Sequence, residues 1–134
     1  LQKNIITRIK NFENLKSFFA KFPELFNLPT QMKGLKTPWL AYPVILNKNS
    51  NINRQKLQIF LEKRGVQTRT IFTGNILRQP IMKKRKYKKV KDAEINSNNV
   101  MKNGILIGCH HGLNDNDLFY IKRNFVNFLR KVSK

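Results

Sequence analysis

Acidic residues are scarce in this chain: 7 Asp and Glu stand against 27 Lys and Arg, a formal charge of +20 over 134 residues. The seven acids are Glu13, Glu24, Glu62, Asp92, Glu94, Asp115 and Asp117, most of them in segments that read as helix. No two of them form the kind of pair that acid/base catalysis uses. There is one cysteine, Cys109, so no internal disulfide can form, which fits a reducing compartment. His110 and His111 are the only histidines. With Cys109 they fall short of a zinc shell, and neighbours on a strand point to opposite faces, so no metal site is expected. Adjacency in sequence is also not the geometry of a Cys–His dyad, and a buried structural cysteine is the expected role of Cys109.

Glycine is sparse as well, with six residues and none at GxGxxG or GxxxxGK[ST] spacing, so the chain carries no phosphate-cradling loop of those kinds. No apolar run approaches the length of a membrane span, and no charged-then-apolar leader precedes a cleavage site. The chain reads as soluble and cytoplasmic, without a membrane partner. Its length is that of one domain, and 40% hydrophobic residues are enough for an ordinary core. It opens on Leu1 rather than Met, which reads as a piece cut from something longer.

What the chain has in excess is positive charge, most densely in KKRKYKKVK, Lys83 to Lys91, where seven of nine residues are cationic. A basic run raises nucleic acid first, since neutralising phosphates releases counterions and gives sequence-independent affinity. The rest of the excess is thinly spread. The reading preferred here is a solvated lysine-rich loop, with a stand-alone nucleic-acid-binding module as the alternative.

Hydrophobic periodicity gives the framework. Ile5, Ile9, Phe12, Leu15, Phe19 and Phe22 recur at steps of three and four, predicting a helix over Lys3 to Phe22 that Pro23 stops. WLAYPVIL, Trp39 to Leu46, reads as a strand, with Pro43 pointing to an edge or a bulge. RQKLQIFLEKRG places Leu57, Phe60 and Leu61 on one face of a second helix that ends at Gly65. VQTRTIF, Val66 to Phe72, reads as a strand, DAEINSNNVMKN as a short weak helix, and GILIGC, Gly104 to Cys109, as a buried strand. Asn114 with Asp117 reads as the cap of a last helix carrying Leu118, Ile121, Phe125, Phe128, Leu129 and Val132. The expected class is α+β, with about three strands packed against helices on one side.

Between the second strand and the basic run lies TRTIFTGNILRQP, Thr68 to Pro80, where nearly every non-apolar side chain can hold a hydrogen bond. Arg69, Asn75, Arg78 and Gln79 offer planar or forked donors suited to phosphate or sugar hydroxyls. A loop that ties itself down through its own side chains is an equally good reading of the same residues.

GVQTRTIFTGNILRQP followed by NSNNVMKNGILIGCHHGL resembles the C-terminal part of the sugar aminotransferase and dehydratase family typified by the DegT, DnrJ, EryC and StrS proteins. The branch it most resembles is the nucleotide-sugar 3-dehydratases acting on 4-keto-6-deoxyhexoses. NFENLKSFF, LP and PWLAYPVIL resemble that family's linker helix and first small-domain strand. The resemblance implies the small C-terminal domain of a fold-type I pyridoxal phosphate enzyme, with residues 1–22 as linker helix, 23–134 as the domain, and the large cofactor-binding domain outside this chain. It further implies deoxysugar biosynthesis for lipopolysaccharide or surface glycans, a homodimer, and pyridoxal or pyridoxamine phosphate held mainly by the large domain. On this reading no catalytic residue lies in the chain. Arg69, Asn75, Arg78, Gln79, His110 and His111 are the expected contacts to a nucleotide-linked 4-keto-6-deoxyhexose, and a sugar aminotransferase of the same family is the alternative activity.

Overall fold

The computed structural model describes residues 1–72, 74–88 and 90–132. Thr73 of the polar loop and Lys89 of the basic run therefore lie outside the described residues. The first helix, α1, is Gln2–Phe19 and buries Phe12, Leu15 and Phe19, the middle of the apolar stripe. It ends before Phe22 because Lys21 and Phe22 donate to the carbonyls three residues back, on Phe18 and Phe19, which tightens the last turn ahead of Pro23.

Strand β1, Phe26–Asn27, pairs antiparallel with β2, Ala41–Leu46. Helix α2, Arg54–Glu62, is capped by Asn53, whose side chain accepts from the Lys56 N–H, and Gly65 follows it at φ +71°. Strand β3 is Thr68–Thr70. Two short 3₁₀ turns, Ile76–Arg78 and Pro80–Lys84, lead through the basic run to helix α3, Glu94–Asn103, which passes directly into strand β4, Gly104–Gly108. The last helix, α4, is Asp115–Val132.

The four strands form one antiparallel sheet in the order β1-β2-β4-β3. The sequence reading anticipated three strands, and the fourth, β1, is two residues long, too short to show a period-2 pattern. Pro43 sits in a strand that is interior by order. Because β1 reaches only Ile45 and Leu46, the outer side of β2 is unpaired at Pro43, where a missing N–H costs nothing.

Register sorts the sheet into two faces. Tyr42 lies opposite Ile107, Val44 opposite Ile105, and Thr68 opposite Ile107 on the other flank. All of these are buried, on the face covered by α1, α2 and α4. There Phe19 stacks on Tyr42 at 5.4 Å between ring centroids and meets Phe125 edge-on at 5.0 Å, while Phe12 stacks on Trp39 at 4.8 Å. The alternate positions, Ala41, Pro43, Leu106 and Gly108, are only half-buried, and Arg69, opposite Leu106, is exposed. Helix α3 meets β2 and β4 at the end where β4 begins. Among the described residues no helix is long and apolar enough to cross a membrane.

Candidate functional site

The polar loop leaves β3 beside the start of β4 and returns against α3. Gly74 adopts φ +73°, and a Cβ there would lie 2.6 Å from the Met101 side chain, so both backbone conformation and close approach require glycine. Asn75 follows, only 2% exposed. Its Oδ1 accepts from the Leu77 N–H at 2.9 Å, starting the first 3₁₀ turn, and its Nδ2 donates to Asn98 Oδ1 at 2.9 Å and to Glu94 Oε2 at 3.2 Å. Arg78 donates through Nε to the same Asn98 oxygen at 3.3 Å, with Glu94 Oε2 at 3.5 Å, and its side chain remains 60% exposed. Gln79 is half-buried and begins the second turn by way of Pro80.

Asn75 thus has its amide engaged inside the protein, as a self-tethering loop would have it, whereas the Arg78 side chain is mostly exposed. Arg69 projects from mid-β3 on the face away from α1, α2 and α4 and gives one donor to the Thr68 carbonyl at 3.3 Å. Beside it, the Thr68 N–H and hydroxyl both donate to Glu62, and these bonds, the backbone one foremost, hold the Glu62 carboxyl below the usual carboxylate range, with Arg69 adding to the effect.

His110 and His111 lie at the other end of β4, removed from the loop by the strand's length, on the order of 13 Å at about 3.3 Å per residue. The His110 Nδ1 accepts from the Gly112 N–H at 3.2 Å, and the His111 Nδ1 faces Arg8 Nε at 3.3 Å. A guanidinium can only donate, so the His111 Nδ1 is the acceptor in this contact. Asn11, which the apolar-stripe reading passed over, fastens this turn by donating to the carbonyls of His110 and Leu113 at 2.9 and 3.2 Å. Its signal was a polar residue directly beside Phe12 on the stripe. A hollow of about 280 Å³ opens here among Gln67, Gly108, His110, Asp117 and Tyr120. The six expected contacts therefore do not converge. Asn75, Arg78 and Gln79 share one end, the histidines hold the other, and Arg69 stands between.

Cys109 is fully buried, its thiol donates to the Trp39 carbonyl, and burial pushes its pKa up to about 12. It is a neutral structural group, as the sequence led one to expect. Among the described residues no three His, Cys, Asp or Glu side chains gather as a metal site. Among the described residues the buried side chains of Asn11, Thr68, Asn75 and Asn124 are each bonded internally, the buried Tyr42 hydroxyl and Trp39 indole N–H have no partner, and no lysine is buried.

The described residues form a small α+β fold whose forked and amide donors stand at the two ends of β4, with Arg69 between them. The chain belongs to the DegT/DnrJ/EryC1/StrS aminotransferase family, whose model matches residues 1–125. It is 31% identical over 121 residues to the lipopolysaccharide biosynthesis protein RfbH of Salmonella typhimurium, covering 90% of this chain and 28% of that protein. It is 28% identical over 122 residues to the GDP-4-keto-6-deoxy-D-mannose 3-dehydratase of Escherichia coli O55:H7, covering 91% and 29%. The solved structure of an E. coli GDP-4-keto-6-deoxy-D-mannose-3-dehydratase with bound hydrated PLP superposes with a TM-score of 0.78 at 25% identity, over 92% of this chain and 31% of that one. The chain thus spans less than a third of the length of these relatives.

Proposed function

We propose that this chain is the small C-terminal domain, residues 23–134 with residues 1–22 as its linker helix, of a pyridoxal phosphate-dependent nucleotide-sugar 3-dehydratase. The observation that carries the reading is the match to a dehydratase fold over 92% of the chain but only 31% of that enzyme. A binding wall without a reaction centre is what such a share should contain. The substrate on this reading is a GDP-linked 4-keto-6-deoxyhexose, used in making lipopolysaccharide or a surface glycan. The protein would be a cytoplasmic homodimer with sites near the subunit boundary.

The cofactor, when bound by the large domain, supplies the electron sink for loss of the C3 hydroxyl. This chain's residues bind and orient. Arg69 and Arg78 are suited to the diphosphate, whose oxygens match a forked donor. Gln79 can accept from or donate to a sugar hydroxyl, and Asn75 fixes the loop that carries Arg78 and Gln79. His110 and His111, at the far end of β4, can reach a different part of the same extended ligand. The described residues of the basic run, 83–88 and 90–91, are exposed to solvent, and the reading assigns them no part in this site.

The test is to supply the full-length protein with GDP-4-keto-6-deoxymannose, pyridoxal phosphate and glutamate. Loss of the C3 hydroxyl is the expected result. An amino sugar that keeps its C3 oxygen would assign the protein to the aminotransferases of the family instead.

A further inference from the structure

Three residues of α3, Glu94, Asn98 and Met101, fall at positions i, i+4 and i+7 and so share one face of the helix. All three touch the polar loop. Met101 meets Gly74, and Glu94 and Asn98 hold both Asn75 and Arg78. The Asn98 oxygen is the shared acceptor, taking Asn75 Nδ2 at 2.9 Å and Arg78 Nε at 3.3 Å. Because Asn75 is buried and the Arg78 side chain is 60% exposed, this face joins a fixed anchor to a solvent-accessible arginine.

We propose that α3 is the positioning element of the anion-binding loop: Asn98, backed by Glu94, locks the Nε side of Arg78 so that its terminal nitrogens face a diphosphate. This rests on the proposed function for its ligand. The physical reason is preorganisation. A free arginine side chain gives up rotamer freedom when it binds, and one already held at Nε gives up less. Neither Asn98 nor Glu94 touches the ligand, so both act through Arg78. The role differs from a merely structural one because it vanishes when Arg78 is absent.

The experiment is a double-mutant cycle in the full-length, cofactor-loaded protein, read by calorimetric binding of GDP, by KM and kcat, and by melting temperature. Arg78→Ala is expected to weaken GDP by about tenfold or more, the scale of a charge-assisted contact. Asn98→Ala should weaken it by roughly three- to tenfold, with KM rising and kcat nearly unchanged. The variant carrying both changes should bind no worse than Arg78→Ala alone, since the second change has nothing left to act on. Glu94→Gln keeps the shape of the clamp, so should Asn98→Ala fail to fold, this variant decides the matter through a smaller GDP loss that again disappears in the Arg78→Ala background.

Wild-type GDP affinity in Asn98→Ala, or losses that simply add in the double variant, would overturn the positioning role while leaving the dehydratase reading intact. If the wild-type protein binds neither GDP nor any other nucleoside diphosphate, the functional reading fails and the proposal goes with it.

Discussion

Helices α4 and α3 are held in place by opposite means. α4 buries Leu118, Ile121, Phe125, Phe128 and Leu129 and is fastened by area removed from water. α3 buries none of its residues. Beside its approach to β2 and β4, it is held by Arg54, which donates to the Lys102 carbonyl, and by the Glu94, Asn98 and Met101 face that grips the loop. A helix of the first kind makes the fold. One of the second kind suits the positioning role proposed for it, because polar contacts fix directions that apolar contacts leave loose.

The largest effect should come from emptying the apolar side of this comparison. Phe125 is fully buried against Phe19 and Phe26, and Phe125→Ala should cost about 3–5 kcal/mol in denaturant unfolding. A loss below about 1 kcal/mol would mean that the core does not depend on this aromatic cluster. The same experiment reads Cys109: its thiol should resist alkylation at pH 8 in the folded chain and react once Phe125→Ala opens the core. The sign follows from the raised pKa. The folded state keeps the proton while the unfolded thiol loses it near its ordinary value of 9.0, so this contribution is complete below pH 9 and is lost as pH rises toward about 12.

On the polar side, Asn75→Ala should cost about 1–3 kcal/mol, because it removes the cap on Leu77 and leaves the carboxylate of Glu94 and the amide of Asn98 with one donor fewer. It should also raise hydrogen exchange in the loop and α3 together while leaving α4 protected. Equal changes in both helices would show that α3 and the loop are not a separate unit. A smaller effect is expected at the start of α4, where Asn114 Oδ1 accepts from the N–H groups of Asn116 and Asp117 and Asp117 returns a bond to the Asn114 N–H. Asn114→Ala should cost about 1 kcal/mol by thermal unfolding.

This contrast also explains what the sequence could and could not show. α4 was legible because its apolar residues repeat at helical spacing and Asn114 with Asp117 spells a reciprocal cap. One residue of that stripe, Val132, turns out exposed, since the last turn runs past the core. α3 reads only as a short weak helix because its working face is Glu94, Asn98 and Met101, and polar residues give no periodic signal. β1 was missed for its length, and the strand read over Val66 to Phe72 narrows to Thr68–Thr70 because β4 offers partners only for those three residues. For the loop, residue types announced hydrogen bonding but not its direction. Burial decides that: Asn75 points in and Arg78 points out, and no spacing rule distinguishes the two.

A third joint tests whether a polar contact without burial adds much at all. Glu62, at the end of α2, accepts from the N–H and hydroxyl of Thr68 at the start of β3, and these bonds lower its pKa from the ordinary 4.5. A depressed carboxyl contributes stability that is present above its unfolded value and is lost as pH falls through the folded one. Glu62 is exposed, however, so solvent screens the interaction, and the contribution should stand at the bottom of this series. Lowering the pH from 6 toward 3 should therefore weaken the wild-type chain slightly more than Glu62→Gln, with the two denaturation midpoints converging once the carboxyl is protonated. If the two instead run parallel across that range, the joint between α2 and β3 is held by Gln58, which donates to the Thr68 hydroxyl, and by the packing of Leu57 and Leu61, and the carboxylate adds nothing to it.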